Sequence, residues 1–332
     1  MNASLDVTAI GNAIVDVIAP ATASFIAAEG LVPGSMTLID EAQAAALYGR
    51  MAPGVEASGG SAANTVAGLA SLGAVTAFIG KVADDQLGQI FAHDMRSIGA
   101  QFDTAPLASG PATARCLVSV TPDAQRTMCT YLGACVQLTP ADVDAALIEA
   151  ASIVYLEGYL FDPDGGRAAF AKAAGLARAS GRRIALTLSD GFVVDRHRDA
   201  LLGFIETQVD VLFANADELA ALFPGLAPAE AHARLGSILE IAAVTDGAAG
   251  SRILAGGGMI EVAAEPVSRV VDTTGAGDQY AAGFLFGLAR GRPLAECGAL
   301  ASFAAAEVIS HYGPRPERPL AAAARAKGLL AA

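Results

Sequence analysis

Six short apolar runs recur along the chain: Val7–Ile10, Ala77–Ile79, Ile153–Leu156, Ile184–Leu188, Val211–Ala214 and Ala242–Thr245. Alanine-rich stretches separate them. Between Ala63 and Leu72, Ala168 and Ala179, and Ala295 and Ile309, apolar residues return at helical spacing, which marks covering helices. This alternation predicts βα units and a mostly parallel sheet with helices on both faces, an α/β three-layer αβα sandwich.

Two stretches break the rhythm. Residues 12–20 and 33–40 read as short strands without helices, and Ala112–Tyr131 alternates like an exposed hairpin around Thr121-Pro122-Asp123. A small β-sheet lid formed by about 12–20, 33–40 and 110–132, inserted into one domain of residues 1–332, accounts for both. No internal repeat, low-complexity linker or clean domain boundary is visible. The alanine-rich end, Ala321–Ala332, reads as a surface helix prone to fraying.

Composition narrows the function classes. With 332 residues, 53% of them hydrophobic, the chain can bury a large core. A formal charge of −13 argues against a nucleic-acid or phospholipid partner, though not against a small phosphate ligand held locally. Met1–Pro20 lacks a basic start followed by an apolar core, and no segment reaches the ~18 apolar residues of a membrane span. The expectation is a cytoplasmic protein. Cys116, Cys129, Cys135 and Cys297 show no paired metal spacing, nor do the four scattered histidines, and the cysteines read as packed, reduced thiols.

The densest chemistry lies in Val271-Asp272-Thr273-Thr274-Gly275-Ala276-Gly277-Asp278. Phe284, Leu285 and Leu288, then Gly291 and Pro293, predict a helix over about 278–290. Its start would present unpaired N–H groups and the positive end of the helix dipole, a setting for an anion. A carboxylate beside a phosphate repels it unless the reaction needs it there. Asp278 is therefore either a base for phosphoryl transfer or an ordinary helix cap. A second glycine turn, Ser58-Gly59-Gly60-Ser61-Ala62-Ala63-Asn64, exposes backbone and offers an amide to a polyol, or is simply structural.

Together these segments resemble the ribokinase-like sugar kinases, the family named after bacterial minor phosphofructokinase. Its C-terminal signature is Asp-Thr-x-Gly-Ala-Gly-Asp followed by a small residue, where this chain has Gln279. The resemblance implies that Asp278 is the catalytic base and that Gly275, Ala276 and Gly277 form the anion hole. Gly59, Gly60, Ser61 and Asn64 match the family's Gly-Gly-x-x-x-Asn element, and Gly11-Asn12-Ala13-Ile14-Val15-Asp16 its acceptor-binding strand. Asn12, Asp16 and Asn64 would then grip substrate hydroxyls. Asn215-Ala216-Asp217-Glu218 resembles its Asn-x-x-Glu motif, which places Asn215 near phosphate and Glu218 near magnesium. Thr245, Gly247 and Gly250 match its nucleotide loop. On local sequence alone the same residues read as a strand-end carboxylate, a capped helix start and a plain turn.

Within that family the resemblance is to the adenosine kinases, and it covers nearly the whole chain. It implies that Arg126 in the lid reaches the transferred phosphate, that Leu132 and Ala134 cover a purine, and that Met36 and Leu38 touch the base. Locally, Arg126 equally reads as a solvated hairpin residue, and the apolar residues as lid packing. Thr274 departs from the Asn common in eukaryotic adenosine kinases and agrees with ribokinases and fructokinases.

The resulting expectation is an ATP- and magnesium-dependent kinase for a primary hydroxyl, foremost the 5′-hydroxyl of adenosine, with an Asp278 of unperturbed acidity, pKa about 4. Two rivals stand beside it: a kinase of another nucleoside or a sugar (inosine, guanosine, ribose, fructose), and a nucleoside-binding regulator without turnover. A dinucleotide enzyme lacks support, because no Gly-x-Gly-x-x-Gly follows the first strand and no Walker motif occurs. The acceptor's identity, a monomeric or homodimeric state and any monovalent-cation requirement lie beyond the sequence.

Overall fold

The computed structural model describes residues 3–123 and 125–331; Met1, Asn2, Ala124 and Ala332, which fall within the expected domain, hairpin and terminal helix, lie outside them. The chain runs β1 (Leu5–Ile10), β2 (Ile14–Pro20), α1 (Ala23–Ala28), β3 (Met36–Leu38), α2 (Glu41–Tyr48), β4 (Val55–Gly59), α3 (Ser61–Leu72), β5 (Thr76–Ile79) and α4 (Gln86–Ser97). It continues through β6 (Ala114–Val120), β7 (Arg126–Tyr131), α5 (Ala145–Ala150), β8 (Ala151–Glu157), α6 (Asp164–Ala179), β9 (Arg183–Thr187), α7 (Gly191–Gln208) and β10 (Val211–Asn215). The last elements are α8 (Ala216–Leu222), α9 (Pro228–Ile238), β11 (Ile241–Thr245), β12 (Ser251–Ala255), β13 (Gly258–Val262), α10 (Ala276–Ala289), α11 (Leu294–Val308) and α12 (Leu320–Ala326).

Eight strands form the large sheet in the order β13-β12-β11-β10-β9-β8-β1-β5. From β5 to β11 neighbours are parallel, while β12 and β13 add an antiparallel edge. Successive residues of a strand point to opposite faces. Along β10, Val211 and Phe213 pack with Phe284, Leu285 and Leu300 of α10 and α11, whereas Leu212 and Ala214 join the cluster containing Phe170 and Leu201 of α6 and α7. Burial on both faces is why these strands are continuously apolar. The expected three-layer sandwich is the observed fold.

The smaller sheet has the order β3-β7-β6-β2-β4. The stretches read as lid strands supply four of these, but β4 falls where only a glycine turn was expected. It pairs antiparallel with β2, Ile14 opposite Gly59 and Asp16 opposite Ala57. One face packs Val17, Leu117 and Cys129 against Leu47 of α2. The other turns Ile14, Asp16, Ile18, Cys116, Val118, Met128 and Thr130 toward a cavity.

The C-terminal helix also differs from expectation. α12 buries Leu320 and Ala324 in the main core, and the Ser71 hydroxyl accepts the Leu320 N–H at 2.8 Å. Two apolar residues one turn apart dock it rather than leave it on the surface. No helix among the described residues is long and apolar enough to cross a membrane.

Candidate active site

Because β1, β8, β10 and β11 are parallel, their C-terminal ends lie on one edge of the large sheet, where open α/β sheets bind ligands. Asn12, Glu157, Asn215 and Thr245 stand there and line one cavity of about 880 Å³ roofed by the smaller sheet. The start of α10 enters the same cavity.

Gly275 takes a left-handed φ of 77°, and a Cβ there would sit 2.6 Å from Pro314 Cα, so the turn demands glycine. The Ala276 N–H donates back to the Thr273 carbonyl at 3.2 Å and is already engaged. Those of Gly275, Gly277 and Asp278 have no protein acceptor among the described residues. The free donors at this helix start thus include Asp278's own amide. Asp272 shapes the approach: one carboxylate oxygen accepts the Thr274 N–H (3.1 Å) and hydroxyl (2.8 Å), the other the Gly313 N–H (2.9 Å).

Asp278 is not the cap of its own helix. Its carboxylate accepts the Ser61 hydroxyl at 2.6 Å and the Asn64 amide N–H at 3.1 Å, both from the first turn of α3. Lone pairs remain on both oxygens, and the side chain keeps partial access to the cavity. Burial raises its pKa to about 6, against the downward pull of Ser61, Asn64 and the Arg315 charge. The expectation of an unperturbed carboxylate is corrected: the surrounding protein replaces water and disfavours the anion.

Asp16 faces the same space from β2. Burial raises it to about 6 as well, with Arg315 and Arg126 opposing and Asp278 adding to the rise. Gly59 makes room for it, since a Cβ there would lie 2.4 Å from the Asp16 carboxylate. Gly60, with φ 93°, brings its backbone against Asn12 and lines the cavity with Ser61 and Asn64.

Arg126 is not solvated. Its guanidinium lies 2.5 Å from Asp272, with both side chains under a tenth exposed, and it approaches Thr274 Oγ1 at 3.4 Å. The contact ties β7 of the small sheet to the loop before α10. Met36, Leu38 and Leu132 line the cavity beside Ile18, Val118, Met128 and Val136. Ala134 does not: it is fully buried, with its N–H on the Ala112 carbonyl.

On the opposite flank, Asn215 and Glu218 cap α8 reciprocally. Glu218 accepts the Asn215 N–H and side-chain amide, each at 2.9 Å, while Asn215 Oδ1 accepts the Glu218 N–H at 2.8 Å. Burial lifts Glu218 to about 7, aided by Asp190, Asp217 and Asp278, and no Lys or Arg pairs with it among the described residues. Nor do three or more His, Cys, Asp or Glu side chains gather into a metal cage among them. An uncompensated carboxylate at a cleft wall, next to an amide, suits a divalent ion that keeps most of its water. Thr245 lines the cavity, whereas Gly247 and Gly250 do not. A Cβ on Gly250 would meet the Val262 carbonyl at 2.1 Å, which makes that glycine a packing requirement.

Two residues of the site escaped the sequence reading. Glu157, fully buried at the end of β8, accepts the Asn12 N–H at 3.2 Å and the Ala62 N–H at 2.8 Å, so it caps α3 from outside. Burial raises it to about 7. An acidic residue closing an apolar strand is the signal that could have found it. Arg315, between two prolines, donates to Asn64 Oδ1 at 3.2 Å and Ser58 Oγ at 2.6 Å.

The profile of the pfkB family carbohydrate kinases matches residues 35–320. Among solved structures, the adenosine kinase of Sinorhizobium meliloti superposes with a TM-score of 0.91 at 49% identity, covering 98% of this chain and all of that one. A probable sugar kinase of Rhizobium etli gives 0.92 at 45% identity over 99% of this chain and all of its own. The adenosine kinase of Saccharomyces cerevisiae is 26% identical over 92% of this chain and 95% of its own length. The chain belongs to the pfkB family of carbohydrate kinases, phosphotransferases that act on an alcohol group.

Proposed function

We propose that this protein transfers the terminal phosphoryl group of ATP, with magnesium, to the 5′-hydroxyl of adenosine in the cytoplasm, producing AMP. The observation that carries the reading is the placement of Asp278 between the free N–H groups of α10 and the polar turn of α3, within one cavity. A hydroxyl held there by Asp16, Asn12 and Asn64 can pass its proton to Asp278. The N–H groups of Gly275 and Gly277 and the Arg126 guanidinium then face the charge on the moving phosphoryl group. Asp278 positions the hydroxyl and holds the proton at a carboxylate oxygen. A magnesium ion would neutralise phosphate charge, held through water by Glu218 and Asn215.

The acceptor follows from the lid. Ile18, Met36, Leu38, Val118, Met128 and Leu132 line the roof with apolar surface, which suits a purine better than a bare sugar. The resemblance to the Sinorhizobium enzyme adds weight. The smaller sheet, formed by about 12–20, 33–40 and 110–132 with β4 added, acts as the lid of a single kinase domain. A sugar acceptor is the second reading, favoured by Thr274 in the signature and by the Rhizobium etli relative. Phosphate transfer from ATP to adenosine, inosine, guanosine, ribose and fructose separates them. Adenosine should give the highest kcat/KM; a sugar preferred over every nucleoside would overturn the purine assignment.

A further inference from the structure

The sequence departs from its family signature at Gln279, and that side chain is fully buried beside Asp278. Its Nε2 donates to the Asn64 carbonyl at 3.0 Å and to the Pro314 carbonyl at 2.9 Å, so one amide ties α3 to the segment that carries Arg315. Gly68 provides the space: a Cβ there would meet Gln279 Oε1 at 2.0 Å. Arg315, thus seated, reaches between α3, α4 and β4 to Asn64 Oδ1, Ser58 Oγ and, weakly, Met95 Sδ at 3.8 Å.

We propose that Arg315, braced by Gln279 through the Pro314 carbonyl, is a positioning residue for phosphoryl transfer that fixes Asn64 as a donor to Asp278. A guanidinium carries donors only, so it accepts nothing from Asn64 and must face the amide oxygen. The amide nitrogen is thereby turned to the Asp278 carboxylate. The reversed amide would set NH2 against the guanidinium and an oxygen against the carboxylate, two repulsive contacts in place of two hydrogen bonds.

The charge acts alongside the geometry. Arg315 faces Asp16 on β2, Asp94 on α4 and Asp278 on α10. Arg126 on β7 opposes the rise at Asp16, while the Asp278 charge adds to the rise at Asp16, at Glu157, Tyr155 and Tyr159 from β8 and its following turn, and at Glu218 from α8. Of these groups Arg315 is the cation that favours ionised Asp278. Without it, the base is protonated over a wider acid range.

This inference rests on Asp278 as the base, and the test keeps the two apart. The pH dependence of kcat/KM with adenosine and ATP-magnesium is measured for the full chain and for Arg315→Gln, Arg315→Lys, Gln279→Ser and Asp278→Asn. Thermal unfolding and calorimetric adenosine binding accompany each. Arg315→Gln should lower turnover about 10- to 100-fold and move the acid limb up by about one pH unit. Arg315→Lys should restore the limb but only part of the turnover, because an ammonium keeps the charge and loses the fork. Gln279→Ser, which leaves the charge in place, should shift the limb in the same direction by less, and it carries the test if Arg315→Gln does not fold. An inactive Asp278→Asn beside an Arg315→Gln of unshifted limb and turnover within about twofold of the parent overturns the inference and leaves the base standing. Near-normal Asp278→Asn overturns both.

Discussion

Along β10 of the large sheet, Val211 and Phe213 are buried on one face and Leu212 and Ala214 on the other, whereas β2 of the small sheet sends Val15 into the main core and Val17 into a small cluster of its own and turns Ile14, Asp16 and Ile18 to the cavity. The large sheet is sealed between two helix layers. The small one has a thin core of Val17, Leu47, Leu117 and Cys129, and its strands end in surface residues such as Leu38 and Val55, 59% and 67% exposed. Besides Val15 in the main core, it meets the sandwich through polar contacts: Arg126 with Asp272, Arg315 with Ser58, and the Ser58 N–H on Asp94 at 2.9 Å. Each such link involves a charged group and is worth about 1.5 to 3 kcal/mol net, comparable with burying one Phe, but the sandwich buries far more large apolar side chains. Stability therefore resides mainly in the sandwich.

The largest expected effect breaks chemistry on the sandwich side without touching that division. Asp278→Asn should lower turnover by roughly 10²- to 10⁴-fold while adenosine binding, measured by calorimetry, stays nearly unchanged. Asn can still accept from Ser61 but not take a proton. The parent's kcat/KM should also fall as pH drops through about 6, since the raised carboxyl of Asp278 is then neutral. Near-normal turnover in the variant would remove the base assignment.

The next effect sits on the roof. Arg126→Gln should cost about 10- to 100-fold in kcat while lowering stability by only about 1 to 2 kcal/mol. Asp272 keeps the donors of Thr274 and Gly313, so it is not left bare when the guanidinium goes. Chemical unfolding checks the second half of the statement. A loss as large as that of a deleted core aromatic would mean that the roof belongs to the folding core, and the contrast between the two sheets would fail.

That contrast also decided what the sequence disclosed. Strands buried on both faces leave continuous apolar runs, and β1, β5 and β8 to β11 were legible for that reason. The half-exposed edge strand β13 leaves no such run, β12 beside it opens on the polar Ser251 and Arg252, and β4 is masked by Gly59 and Gly60 at its end. The contiguous signature around Gly275–Asp278 was legible as well. Glu157 and Arg315 were not, because their partners lie 95 and 251 residues away in the chain, and only the closed fold brings them together. Local sequence offered Asn215–Glu218 as a capped helix start with a solvated Glu; the cap is there, but Glu218 is buried, and that burial makes its charge costly.

The smallest effect tests that cost. Burial pushes Glu218 from its ordinary 4.5 up to about 7, so the folded state holds its proton more tightly than the unfolded one. Its contribution is fully present below about pH 4.5 and is lost as pH rises through 7. Asp16, Asp278 and Glu157 share this sign, and the magnesium-free protein should lose stability between pH 5 and pH 8. Glu218→Gln removes one titrating group, so its loss over the same window should be smaller by about 2 kcal/mol, whatever the substitution costs in capping at every pH. Chemical unfolding at the two pH values, without magnesium, gives the difference of differences. An unchanged slope would mean that Glu218 is an ordinary solvated cap, and the flank facing the roof would then hold no carboxylate waiting for a cation.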